Sequence, residues 1–153
     1  MKRVIYTISA LPVLAFAAFA VWVRVAPSDA AHWDTAVADA TPAIPGPCAD
    51  KVVLVPKGAR ATCLLPTDPK AILNALVSVA LAADRTTTLA GTPEAGRMTW
   101  ISRSRLMGYP DYITAQVTPT ANGTRLDILS RQRFGSKDMG VNAARLRQWL
   151  AAL

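Results

Sequence analysis

Ser130-Arg-Gln-Arg-Phe-Gly-Ser-Lys-Asp-Met-Gly-Val-Asn-Ala-Ala-Arg-Leu-Arg-Gln-Trp-Leu-Ala-Ala-Leu153 reads as the end of a basic strand, a turn and a C-terminal helix. Arg131 and Arg133 are two residues apart, so in a strand both leave the same face. Gly135 and Ser136 turn the chain, and Ser136 or Asp138 can accept the first free amide hydrogens of a helix expected to start there. Met139, Leu146, Trp149, Leu150 and Leu153 recur at three- and four-residue spacing, which gives that helix one apolar stripe to set against a core.

Upstream of this stretch the pattern alternates with a period of two. Strand-like runs at Arg85 to Ala90, Met98 to Arg105, Tyr112 to Thr118 and Thr124 to Arg133 are separated by segments rich in Gly, Pro and Asn. Such short connections make neighbouring strands antiparallel, and Asn122-Gly123 marks a hairpin between the last two. Ile113, Ala115, Val117, Leu126 and Ile128 fall on one apolar face, opposite Tyr112, Thr114, Gln116, Arg125, Asp127, Arg131 and Arg133. Before the strands, Asp68 caps a helix with Pro69 at its first position, and Ile72, Leu73, Leu76, Val77 and Ala80 share one side as far as Asp84. Two helices with one apolar stripe each cover the apolar face of the sheet. The expected fold is α+β, a two-layer antiparallel sheet of about four strands flanked by two helices, with one N-terminal transmembrane helix ahead of it. The pattern leaves open whether Val52 to Val55 joins the sheet.

The N-terminal residues Val4 to Val25 are predominantly apolar and as a helix span roughly 33 Å, about one hydrocarbon core. Lys2 and Arg3 precede them, which holds the start inside and exports the rest, to the periplasmic side of a bacterial-type membrane. The competing reading is a signal peptide cleaved before Ala31, releasing a secreted domain; the apolar run is longer than a signal peptide requires. Residues 1–25 are thus expected as an anchor, 26–47 as a Pro- and Ala-rich tether and 48–153 as the folded domain. Cys48 and Cys63, if exported, meet an oxidising compartment and are expected to form a structural disulfide. His32, with no second histidine and only Asp29 and Asp34 nearby, is assigned no role.

The net charge is +7 over 153 residues, and from Arg97 to Arg147 nine Lys or Arg face three acids, Asp111, Asp127 and Asp138. That surplus calls for an anionic neighbour, such as a lipid headgroup or a small anion, or paves a solvated surface. No phosphate-cradling loop, dinucleotide fingerprint or metal-ligand cluster occurs, and the single histidine removes the usual partner of a Ser or Cys nucleophile. The reading therefore leans against catalysis, names no catalytic residue, cofactor or metal, and disfavours nucleic acid for an exported domain. Arg103 and Arg105 share a face of the second strand as Arg131 and Arg133 share a face of the fourth. Together with Arg145, two turns beyond Asp138, they form the candidate anion site. The alternative is a purely structural or protein-interaction domain whose partner is unknown.

The run from Ser130 to Arg145 also resembles the signature of the domain of unknown function family 1499, roughly S-R-S-R-x-G-x-S-D-x-G-x-N-x-x-R, and Tyr109-Pro-Asp-Tyr112 resembles that family's P-D element before a strand. The resemblance covers about residues 64 to 153. It sets Gly135, Asp138, Gly140 and Asn142 in one register as a structural signature; because the chain must turn at Gly135 and start a helix, Asp138 and Asn142 are expected to serve that corner as cap and polar clasp. Upstream, a C-P-x-S-P-N-C-V segment typical of the family is replaced by Cys48 and Cys63 in different spacing.

Overall fold

A computed structural model describes residues 2–153, with side chains from Leu11 onward. The element order is helix α1 (Lys2–Val25), helix α2 (Ala30–Trp33), strand β1 (Ile44–Pro45), a 3-10 turn (Cys48–Lys51), β2 (Val53–Val55), β3 (Gly58–Leu65) and helix α3 (Pro69–Ala82). Then come β4 (Thr86–Thr92), a second 3-10 turn (Pro93–Ala95), β5 (Arg97–Arg103), β6 (Pro110–Thr120), β7 (Gly123–Gln132) and helix α4 (Val141–Leu150).

The expected strands and both core helices are present, within a residue or two of their ends in most cases. The sheet is larger than expected. Its seven strands run β1-β3-β7-β6-β5-β4, with β2 also paired to β3, so the last strand of the chain is central rather than at an edge. The added strand β3 pairs antiparallel with β7 over eight residue pairs, Gly58 opposite Arg131 through Leu65 opposite Thr124. Its sequence, Gly-Ala-Arg-Ala-Thr-Cys, lacks the large β-branched residues that flag strands. Gly58 has a steric reason to be small: a Cβ there would lie 2.0 Å from the Ser130 carbonyl oxygen. Val53–Val55 settles its open question by pairing antiparallel with Arg60 through Gly58.

One face of this sheet carries the core, as the alternation indicated. Ala61, Cys63, Trp100, Ile113, Ala115, Leu126 and Ile128 pack against Leu73 and Leu76 of α3 and Leu146, Trp149 and Leu150 of α4. Trp100 and Trp149 meet edge to face at 5.7 Å across the two layers. Asp68 caps α3 by accepting from the Ala71 amide 3.0 Å away. The Cys48–Cys63 disulfide is formed, with Cα atoms 5.5 Å apart, and ties the first 3-10 turn to β3 under the core.

The corner before α4 departs from its sequence reading. The helix starts at Val141, not between Ser136 and Asp138, and Met139 is 89% exposed instead of packed on the sheet. Gly135, Met139 and Gly140 all have positive φ, which keeps the chain in an irregular turn for longer than the side-chain spacing implies. Leu153, also assigned to the apolar stripe, lies beyond the helix end and is 43% exposed.

The segment 26–47 is not a free tether. From Pro27 to Asp39 it lies along the other face of the sheet as a strap, hydrogen-bonded to the strands beneath it. Among the described residues, no helix is long and apolar enough to cross a membrane. Lys2, Arg3 and residues 4–10 of the expected span lie outside the described side chains.

Candidate functional site

The five arginines grouped by the sequence do not share one surface. Arg131 and Arg133 stand on the face of the sheet away from the helices, where the segment after α1 runs across them. Arg133 donates to the Pro27 carbonyl at 2.8 Å and Arg131 to the Trp33 carbonyl at 2.6 Å. Asp34 accepts from Arg97 at 3.0 Å and from the buried Thr99 hydroxyl at 2.8 Å. Gln116 accepts from the Val37 amide, and Asp39 pairs with Arg60. The polar face of a half-exposed sheet is thereby hydrogen-bonded to its own chain. Burial acts to raise the Asp34 pKa, but the hydrogen bonds from Arg97 and Thr99 and the charges of Arg97 and Arg131 outweigh it and hold the carboxyl below its ordinary value. Burial depresses the Arg131 pKa, partly opposed by Asp34. These two arginines are occupied as structural clamps.

Arg103, Arg105 and Arg145 gather elsewhere, at the end of the domain where α3 stops, β5 turns and α4 crosses. They line an open groove of about 730 Å³ together with Arg85, which the sequence reading did not single out. Arg85 sits in the α3–β4 turn with φ of 54°, a left-handed conformation rare for a branched or bulky side chain. Its Nε donates to the Arg103 carbonyl at 3.3 Å, and Arg103 in turn donates to the Gly108 carbonyl at 3.0 Å. The groove's four guanidiniums face a single lining carboxylate, Asp84, whose side chain is 86% exposed. Asp111, behind the groove, neutralises Arg145 across 2.9 Å. A cationic surplus remains at Arg103 and Arg105.

Between groove and sheet lies a polar cluster built from the signature residues. Arg145 donates to the Asn142 side-chain oxygen at 2.7 Å, to Ser130 at 3.2 Å and to Asp111 at 2.9 Å, and Ser130 donates to Asn142. Asp138 accepts from the amides of Gly140 and Asn142, both at 3.1 Å, and so holds the turn into α4 from two residues before the N-cap position, which Gly140 occupies. Burial tends to raise its pKa, and the amide hydrogen bonds more than offset this and lower it. Asn142 is fully buried and joins β7 to α4 rather than clasping the exposed turn. Asp111 is the exception among the acids: burial lifts its pKa above the ordinary value although Arg145 pulls it down. The third acid, Asp127, is buried on the strap face and held by Arg125 at 2.6 Å and by Thr62 at 2.8 Å.

A second cavity of about 300 Å³ adjoins the groove and shares Ser104 and Val141 with it. Gln132, Asp111 and Asp138 form its polar side and Tyr109, Phe134 and Met139 its apolar side. Among the described residues no group of three His, Cys, Asp or Glu is placed to hold a metal ion.

Comparison with solved structures finds protein CV1439 from Chromobacterium violaceum, 15% identical with a TM-score of 0.41, covering 61% of this chain and 94% of that one. Protein MLL2253 from Mesorhizobium loti is likewise 15% identical, with a TM-score of 0.42, covering 60% of this chain and 95% of that one. No curated protein sequence matches. The family model described as protein of unknown function (DUF1499) matches residues 33–153, a span that takes in the strap from Trp33 as well as the signature around Arg145. The chain therefore belongs to the DUF1499 family.

Proposed function

We propose that the protein is a membrane-anchored cell-envelope module that binds a small anionic group, a phosphate or carboxylate, in the groove between α3, β5 and α4. The observation that carries this reading is the gathering of Arg85, Arg103, Arg105 and Arg145, from three separate parts of the chain, around one 730 Å³ groove with Asp84 as its only lining acid. Guanidinium forks suit the planar oxygens of phosphate and carboxylate, and two of the four lack a carboxylate neighbour to compete with a ligand. The anchor rests on the apolar run Val4 to Val25 with Lys2 and Arg3 before it, a charge order that favours a domain outside the cytoplasm.

The test is thermal unfolding of the full chain in a non-ionic detergent, with and without inorganic phosphate and glycerol phosphate. A ligand-dependent rise in Tm that disappears in Arg103→Ala/Arg105→Ala supports the reading. An unchanged Tm across soluble anions and anionic lipids alike points instead to a structural or protein-interaction domain.

A further inference from the structure

We infer that the ligand is an anionic phospholipid taken from the bilayer, its phosphate in the arginine groove and its glycerol and first acyl carbons in the adjoining 300 Å³ cavity. This rests on the anion-binding reading above and specifies the ligand class. Two features of the second cavity carry it. One side of it is apolar, with Tyr109, Phe134, Met139 and Val141, opposite Asp111, Gln132 and Asp138, and it adjoins the arginine groove at the shared Ser104 and Val141. A ligand that fills both must be charged at one end and apolar at the other. The second feature is Gln132, only 8% exposed, which lines the cavity and whose side-chain Nε2 has no hydrogen-bond partner among the described residues. Buried donors are almost always satisfied, so this one asks for an acceptor in the cavity. An ester carbonyl, which lies between phosphate and acyl chain in a phospholipid, is such an acceptor.

The position of the cavity points to the same source. The end of α1 rests against its rim: Trp22 packs on Phe134 at 5.4 Å, Phe19 on Tyr109 at 6.4 Å, and Arg24 donates to the Leu106 carbonyl. Two loops distant in sequence present large apolar side chains at this end, Leu106 at 82% exposure and Met139 at 89%. Arg105 and Lys137 flank them. Exposed apolar tips with cations beside them in the chain are suited to the headgroup layer of an anionic bilayer. With α1 in the membrane, this end of the domain faces the lipid and the opposite end, at the β6–β7 hairpin, faces away.

The experiment reconstitutes the full chain in phosphatidylcholine vesicles containing a phosphatidic acid with a photoreactive diazirine near the glycerol end of one acyl chain. After irradiation, adducts are mapped by peptide mass spectrometry. The expected result is adducts within residues 104–109 and 132–141, competed by phosphatidylglycerol but not by additional phosphatidylcholine, and reduced several-fold in Arg105→Ala, a change that leaves the Arg103 bond to Gly108 in place. Adducts confined to α1, or equal competition by phosphatidylcholine, overturn the inference. If glycerol phosphate raises Tm while adducts stay on α1, the groove binds anions but not lipid, and only this inference falls. A chain that does not float with the vesicles overturns the anchor and the lipid ligand together.

Discussion

The indole of Trp33 lies flat on the ring of Tyr112, with centroids 3.7 Å apart and planes within 6°. The two residues are far apart in sequence, and their contact closes the strap over the sheet. Arg131 adds a cation–π contact, its guanidinium 5.5 Å from the Trp33 ring, and Ser28 shares a hydrogen bond with the Tyr112 hydroxyl at 2.7 Å. Without the strap, the β6 and β7 side chains that it covers would face water. Trp33→Ala is therefore expected to lower stability by about 2 kcal/mol through lost stacking and apolar contact. It should also open the Ala-rich strap to elastase. Urea unfolding and limited proteolysis check this, and Trp33→Phe should recover most of the loss.

Two aspartates should give opposite pH signatures. The folded-state pKa of Asp34 is depressed below its ordinary value of 3.8, so its stabilising contribution is present above that value and disappears as pH falls through the lower folded one. The stability gap between the native chain and Asp34→Asn should thus be largest near neutrality and close as pH falls below 3.8 and through the lowered folded-state value. Asp111 is raised above 3.8, so its contribution is greatest below that value and is lost as pH rises through the folded one. Arg145 limits this effect; Arg145→Ala should therefore destabilise most at neutral pH and least in acid, below the folded-state pKa of Asp111, where that carboxyl is neutral. Denaturant midpoints across a pH series give both curves.

Reducing or removing the Cys48–Cys63 bridge is expected to cost about 3 kcal/mol, since it closes a loop with a sequence separation of 15. Unfolding of Cys48→Ser/Cys63→Ser beside the oxidised chain measures it, and a thiol assay on protein purified without reductant should find no free cysteine.

At the α4 corner the ranking of substitutions separates cap from core. Asp138→Ala removes the acceptor for two amides at a partly exposed helix start and should cost about 1 kcal/mol. Asn142→Ala strips Ser130 and Arg145 of a buried shared acceptor and should cost about 2 kcal/mol or more. An equal or reversed order in chemical unfolding would show that the exposed turn, not the buried cluster, holds the corner.

Arg85 combines a strained backbone with a place in the groove, so its two roles can be separated. Arg85→Gly relieves a left-handed conformation and should leave stability level or raise it by about 0.5 kcal/mol, after the greater flexibility of glycine in the unfolded chain is allowed for. The same change should weaken the phosphate-dependent rise in Tm. A stable variant with an undiminished ligand shift would remove Arg85 from the site.

Local rules made the core face and both of its helices legible in the sequence. Alternation placed Ile113, Ala115, Leu126 and Ile128 on the core face, helical spacing found α3 and most of α4, and Asp68-Pro69 and Asn122-Gly123 marked a helix start and a hairpin. Cys48 and Cys63 were paired by the expected compartment. Apart from that pairing, each of these signals is written within about a dozen residues of the element it specifies. Long-range packing settled the remainder. Strand β3 exists because β7 offers eight partners to a small-residue sequence with little strand preference of its own, and the strap is ordered by side chains 63 to 106 positions away, such as Arg97 and Arg133. The arginines show the limit most plainly. Same-face spacing grouped Arg131 with Arg103, but whether a guanidinium is free depends on what covers its face. The strap occupies Arg131 and Arg133, while the α3–β4 turn brings Arg85 to Arg103 and Arg105 from a part of the sequence that no local period connects to them.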